Sequence, residues 1–276
     1  MKRYGFFGTG SMGSMLIRQF VGTCALDPGA ISACSRGGAS ARALAAETGI
    51  TASASCRDVA AGSDVLFVCV RPLDVRELLT GLRDCLDRPV LVVSIAGGVS
   101  LDDIAAWAGP KARCAKVIPS LTAEERGGIS LVAWGRGITP EDREDLMRLL
   151  GAIGTPVEIE EHHFGIYTDL TSCGPALIAA MMEEFAAAAV RKEGVPREMT
   201  EYLVRETLAG TAKVIVNRQM QFPAVIDRVA TKGGTTEEGV RILRARLPAV
   251  YDEMIGSMLA KLDYLQRRIA EQRGSD

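Results

Sequence analysis

Apolar residues fall into two rhythms along this chain. In the first half, short apolar runs alternate with helical patterns. Residues 4–8, 31–35, 65–70, 90–94, 115–118 and 129–134 read as strands, with 157–159 as a last one. The run 65–70 is unbroken, as in a central parallel strand covered on both faces. Residues 11–20, 39–48, 75–86 and 101–107 read as helices between them. Thr139-Pro140-Glu141-Asp142 opens another, with Thr139 as N-cap and Pro140 in the first turn. The alternation predicts an α/β fold built on a doubly wound parallel sheet of Rossmann type.

The second half carries no strand pattern. Residues 175–192, 196–218 and 236–269 read as helices. In the last, Val240, Leu243, Leu247, Val250, Met254, Met258 and Leu262 recur at three- or four-residue steps. The boundary is therefore expected near Glu160, with a sheet domain over 1–160 and an all-α domain over 161–276. The Ala- and Met-rich stretch 176–190 is apolar on most faces and has to be buried. A second copy of the chain is the expected cover, which makes the protein a homodimer and leaves higher assembly open. The polar tail 271–276 is expected to fray.

Composition narrows the classes. With 47% apolar residues in 276, the chain has material for two cores. Its 32 basic and 34 acidic residues leave a formal charge of -2 and no basic run, so no nucleic-acid partner is expected. The longest apolar stretch, 175–190, is broken by Glu183 and Glu184, so no membrane span is expected. Lys2 and Arg3 precede a short apolar stretch that glycines interrupt at once, unlike a signal peptide. Seven cysteines without a CxxC pair suggest reduced thiols rather than a disulfide framework or a zinc site. A cytoplasmic location follows as an expectation. His162 and His163, next to Glu160 and Glu161, read as a polar turn, and no metal site is assigned. Cys173 precedes a Gly-Pro helix start, a setting that favours a thiolate.

Gly8-Thr9-Gly10-Ser11-Met12-Gly13 matches GxGxxG between a strand and a helix, the context that gives the motif meaning. Gly8 suits the tight turn, Gly10 the approach to a pyrophosphate, and Gly13 close helix–sheet packing. After the second strand, an NAD-preferring site usually presents an acid to the ribose 2′-hydroxyl. Here Ser35-Arg36 stands instead, suited to a 2′-phosphate. NADP is the expected cofactor, with NAD as a second one. Val70, Arg71 and Pro72, together with Ala96 and Gly97, end two further strands and are expected to line the nicotinamide side.

Thr231-Lys232-Gly233-Gly234-Thr235-Thr236-Glu237-Glu238 enters the last helix. Thr235 and Glu238 have capping-box spacing. Backbone amides of Gly233, Gly234 and Thr235 are expected to receive a carboxylate. With the glycine loop, Val70-Arg71-Pro72, the segment 94–99 and Ser172-Cys173-Gly174-Pro175-Ala176, this segment makes the whole chain resemble the pyrroline-5-carboxylate reductase family. The resemblance implies a Rossmann domain, a helical dimerisation domain and NADPH-dependent reduction of 1-pyrroline-5-carboxylate to L-proline. It implies that Thr236 bonds the ring nitrogen, and that Thr231, Gly233, Gly234, Thr235, Ser172 and Pro119 surround the imino-acid substrate.

The chain departs from the family at Ile118-Pro119-Ser120-Leu121-Thr122, at Thr171-Ser172-Cys173-Gly174 and at Lys232. These features resemble a divergent branch that includes a reductase-like competence-operon protein of Bacillus. Two alternatives stay open: a reductase of another imine or keto acid, and a non-catalytic NADP-binding regulator.

Overall fold

The computed structural model describes residues 2–273. In order these form β1 (Tyr4–Phe7), α1 (Ser11–Gly22), β2 (Ile31–Cys34), α2 (Ala39–Thr48), β3 (Thr51–Ala52), α3 (Cys56–Gly62), β4 (Val65–Val68), α4 (Val75–Gly81), β5 (Leu91–Ser94) and α5 (Leu101–Ala108). Next come β6 (Arg113–Ile118), β7 (Gly128–Trp134), α6 (Pro140–Gly151) and β8 (Gly154–Glu158). The helices α7 (Phe164–Thr171), α8 (Gly174–Glu193), α9 (Arg197–Asn217), α10 (Phe222–Val229) and α11 (Thr235–Arg273) follow. Residues 271–273, expected to fray, continue α11, and 274–276 lie outside the described residues.

The eight strands make one sheet in the order β3-β2-β1-β4-β5-β6-β7-β8. It is parallel except between β6 and β7, which pair antiparallel. The expected doubly wound parallel sheet thus carries one antiparallel pair. The connection between those two strands spans only residues 119–127, too short for a crossover, so the chain turns straight back. Alternation along β1 sends Phe6 into one core layer and Phe7 into the other. Phe6 stacks on Phe67 with ring centroids 4.7 Å apart. Burial of each such ring contributes roughly 1.5–3 kcal/mol. Thr139 caps α6 as its sequence indicates: its hydroxyl accepts from Asp142 N at 3.1 Å, and the Asp142 carboxylate accepts from Thr139 N at 3.1 Å.

Four elements escape the sequence pattern: β3, α3, α7 and α10. They are too short, at two to eight residues, to complete a periodicity. One of them overturns the thiol expectation. The first residue of α3, Cys56, meets the last residue of β2, Cys34, with Cα atoms 5.5 Å apart, and the two are joined in a disulfide. Without α3, nothing in the sequence brings these cysteines together.

Contacts divide the chain into two compact units: residues 2–173 with 259–273, and Gly174–Met258. The break in contacts therefore falls after α7 rather than at Glu160, where the strand pattern ends. Phe164 on α7 is buried in the same layer as Phe7, and so is Ile269 on α11. In the second unit α8 packs on α9, yet few residues are buried. Phe185 is 64% exposed and Phe222 69%. Burial of the Ala- and Met-rich helix, expected from its composition, is thus not met within one chain. Residues Glu161–Glu193 are also long and apolar enough, by length and composition, to pass for a membrane span, at a mean hydropathy of 1.4.

Candidate active site

The glycine loop lies between β1 and α1. Gly8 has φ +97°, a left-handed conformation that suits glycine, and a Cβ there would meet the Cys69 carbonyl oxygen at 2.7 Å. A Cβ on Gly13 would come within 2.2 Å of the Gly8 carbonyl oxygen. Gly10, by contrast, faces open space, with nothing within 4 Å of a Cβ built there. It is also the N-cap of α1, which no side chain caps. The helix therefore presents its first amides and positive end toward a bare backbone, the setting that takes a phosphate. This shape fits a dinucleotide.

Hydroxyls tie the loop to the end of β2. Thr9, buried, has its Oγ1 2.7 Å from Ser40 Oγ, and Ser40 Oγ donates to Ser35 Oγ at 3.0 Å. Ser14 Oγ donates to the Thr9 carbonyl at 2.9 Å. Ser11 is exposed and Met12 half-buried. Ser40 had no signature of its own in the sequence, because only the fold brings α2 beside the loop.

Strand order shows why these groups converge. The chain runs from β1 outward through β2 to β3, then returns to β4 on the other side of β1. Such a switch point opens a crevice at the carboxyl ends of the strands. Ser35 and Arg36 follow β2, Val70, Arg71 and Pro72 follow β4, Ala96 and Gly97 follow β5, and Pro119 follows β6, all on that edge. Arg36 Nη2 lies 3.2 Å from Asp74 Oδ2, and Arg71 Nε donates to the same oxygen at 2.9 Å. The hydrogen bond from Arg71 leads in holding the Asp74 carboxyl below its ordinary range. The sequence reading missed Asp74, although its three-residue spacing from Arg71 is a recognisable ion-pair signal.

Beyond β6, buried Ser120 donates from Oγ to the Thr171 carbonyl at 3.2 Å, which fixes the strand end after Pro119 against the stretch leading to Ser172. The thiolate expected at Cys173 is corrected. Burial first, and Asp169 beside it, push that thiol up. On β6 the buried Lys116 ammonium stands 4.6 Å over the Phe164 ring, and burial lowers its pKa.

The second group of expected residues, 231–236, lies in the other compact unit, where α11 begins at Thr235. Gly233 has φ +77°. Its N–H donates to Glu237 Oε2 at 2.7 Å, and Gly234 N–H donates to the Thr231 carbonyl at 2.9 Å. Two of the three amides expected to stand free for a carboxylate are therefore engaged within the loop. The expected pairing of Thr235 with Glu238 is also corrected, since Glu238 turns outward to Arg241 at 2.9 Å. Thr235 and Thr236 are exposed.

Other features stand apart from these groups. Glu160, His162 and His163 bring their ligand atoms within 4.8 Å of one another on a largely exposed turn. A shallow hollow lined by Lys2, Tyr4, Asp27, Asp145 and Arg148 lies at the amino end of β1, opposite the glycine loop.

Known proteins resemble both units. Residues 3–98 match the family model described as NADP oxidoreductase, coenzyme F420-dependent. Residues 161–264 match pyrroline-5-carboxylate reductase dimerisation. Pyrroline-5-carboxylate reductase 3 of Bacillus subtilis is 33% identical over 99% of this chain and 100% of its own length. ComE operon protein 4 of the same organism is 29% identical over 88% of this chain and 89% of its own. Among solved structures, pyrroline carboxylate reductase of Plasmodium falciparum with NADP bound has a TM-score of 0.85 at 20% identity, covering 96% of this chain and 98% of that one. The Coxiella burnetii pyrroline-5-carboxylate reductase has a TM-score of 0.86 at 22% identity with the same coverage. These two share the fold. The end-to-end identity with the Bacillus reductase carries the further conclusion: the chain belongs to the pyrroline-5-carboxylate reductase family.

Proposed function

We propose that the protein reduces 1-pyrroline-5-carboxylate to L-proline with NADPH, a step of proline biosynthesis. One observation carries the substrate half of this reading. The amide of Gly233 already holds a carboxylate oxygen, that of Glu237, at 2.7 Å. A loop with an amide that donates to an internal carboxylate is suited to an amino-acid carboxylate, with Glu237 displaced.

Bound NADPH supplies the hydride. Residues 8–13, Ser35 and Arg36 hold the nucleotide, with Arg71 joined to Arg36 through Asp74 at the same end, and Val70, Pro72, Ala96 and Gly97 border its far end. Gly233, Gly234 and Thr235 orient the substrate carboxylate, with Thr231 beside them in the same loop. The Thr236 hydroxyl holds the ring nitrogen. A protonated imine is already electrophilic, so positioning does most of the work and no strong acid is needed. The product keeps that proton on nitrogen and gains the hydride on the imine carbon.

The working form is a homodimer. The exposed apolar side chains of the second unit, among them Phe185, Tyr202, Leu203, Phe222 and Ile242, favour burial by a second copy. The location is cytoplasmic, where the Cys34–Cys56 pair would meet reducing conditions. The altered wall at Ser120 and Thr171 favours a second reading, a reductase of a related imine or keto acid.

The test follows NADPH oxidation by absorbance with pyrroline-5-carboxylate, in wild type and in Thr236→Ala. Turnover in wild type that falls about 10- to 100-fold in the variant is expected. Absence of turnover in protein that binds NADPH would overturn the proline assignment. Turnover of another imine or keto acid would then establish the second reading, and none at all a regulatory role.

A further inference from the structure

The strand edge carries one acid, Asp74, that the proposed cofactor contacts leave without a role. Three charged groups from the ends of two different strands meet beside the glycine loop. Arg36 comes from beyond β2, and Arg71 and Asp74 from beyond β4, the two strands that flank β1. A single carboxylate oxygen, Asp74 Oδ2, takes both guanidiniums, at 3.2 Å from Arg36 and 2.9 Å from Arg71. Arg71 Nη2 adds a longer bond to Oδ1 at 3.4 Å.

Asp74 is also the N-cap of α4, where an aspartate ordinarily accepts an amide of the first turn. It makes no such bond. Its carboxylate is directed to the arginines instead. Both guanidiniums remain open to solvent, with side chains 80% and 75% exposed, while Asp74 is only 24% exposed between them. The arginines can therefore reach a ligand without leaving their shared partner.

The end of β2 lacks the acid that bonds a 2′-hydroxyl in NAD-preferring sites. Asp74 brings one to the same place from the other side of β1. We propose that Arg36, Asp74 and Arg71 act as one device that sets cofactor choice: the two guanidiniums take the 2′-phosphate of NADP, and the Asp74 carboxylate takes the 2′-hydroxyl of NAD. The three groups sum to one positive charge. That attracts a 2′-phosphate, which carries about -1.5 to -2, but less than the arginines would without Asp74. The device thus admits both cofactors and restrains the preference for NADP. This inference rests on the reading of residues 35–36 as the adenosine end of the site.

Equilibrium binding tests it without turnover. NADPH and NADH are titrated by fluorescence, with adenosine 2′,5′-bisphosphate and AMP as competitors, against wild type, Asp74→Asn and Arg36→Ala. Asp74→Asn is expected to tighten NADPH and the bisphosphate and to weaken NADH, moving the NADPH-to-NADH affinity ratio about tenfold toward NADPH. Asp74→Ser, which retains a capping side chain, is expected to move it the same way and serves if the first variant folds poorly. A ratio within twofold of wild type, or one moved toward NADH, overturns the proposal. Arg36→Ala is expected to weaken NADPH and the bisphosphate at least tenfold and leave NADH nearly unchanged. If it does so while Asp74→Asn leaves the ratio alone, the adenosine-end reading stands and the device falls. If Arg36→Ala does not discriminate, both fall.

Discussion

The glycine loop and the loop proposed to take the substrate are both glycine-rich segments that open a helix, yet they are built to opposite standards. Around residues 8–13 the ends of the loop are fixed by close contacts. Gly13 is pressed against the Gly8 carbonyl, Gly8 against Cys69, and a chain of hydroxyls locks Thr9 to Ser40 and Ser35. Around residues 231–236 a Cβ on Gly233 would meet nothing, and the residues are mostly exposed. Its one charged contact is an exposed glutamate on an amide. The glycine loop is thus preorganised by packing, and the loop at residues 231–236, on the proposed reading, by a replaceable ion. An error in the first should damage folding and binding together, whereas one in the second should change kinetics alone.

The harshest test of that contrast is Gly13→Ala. The new methyl would stand 2.2 Å from a backbone oxygen with no flexible side chain to yield. A stability loss of about 2–3 kcal/mol is expected from such overpacking, with NADPH affinity reduced at least 100-fold. Thermal melts and fluorescence titration measure both. Unchanged NADPH affinity would show that the loop is looser than its contacts indicate.

A milder change probes the other side. Glu237→Gln removes the charge that rests on Gly233 while keeping the side chain's shape. The KM for an anionic substrate is expected to fall about threefold, by the loss of one like charge near the surface, with melting temperature and NADPH affinity unaltered. A rise in KM would mean that Glu237 holds the loop in its working shape rather than competing for it.

The smallest effect sharpens the comparison in the unliganded protein. Desolvation pushes the Cys69 thiol, beside Gly8 and Gly13, up to about 12. At pH 8 iodoacetamide is expected to label exposed Cys24 and spare Cys69 with or without NADPH, as mass spectrometry of peptides would read. Labelling of Cys69 that NADPH suppresses would mean that the glycine loop opens when empty.

The same contrast explains what was legible in the sequence. The apolar runs of β1, β4 and β5 announce themselves because buried parallel strands have to be apolar on both faces. The glycine motif is legible because Gly8 and Gly13 each answer a separate steric demand while Gly10 leaves the helix end open. Asp74 and Ser40 were not found, since their importance lies in which strand end or helix the topology places beside them. The disulfide stayed hidden for the same reason, with α3 too short to leave a pattern. At residues 231–236 the loop was singled out, but the partners of its amides were not. Choosing between Glu237 and Glu238 as the returning carboxylate depends on a rotation of one residue, which spacing alone does not resolve.

Ile269, buried in the same core layer as Phe7 and Val68, has a consequence for how the protein is made. With Leu265, which lies against Gly98 after β5, it belongs to the sheet unit but is synthesised only after the whole of Gly174–Met258. On a ribosome, where the N-terminal part emerges first, the strands can pair early while one patch of their apolar cover is still missing. Closing it joins residues far apart in sequence, so the final step of assembly carries the entropic cost of a long loop. The nascent sheet waits with that seam exposed until the end of α11 arrives.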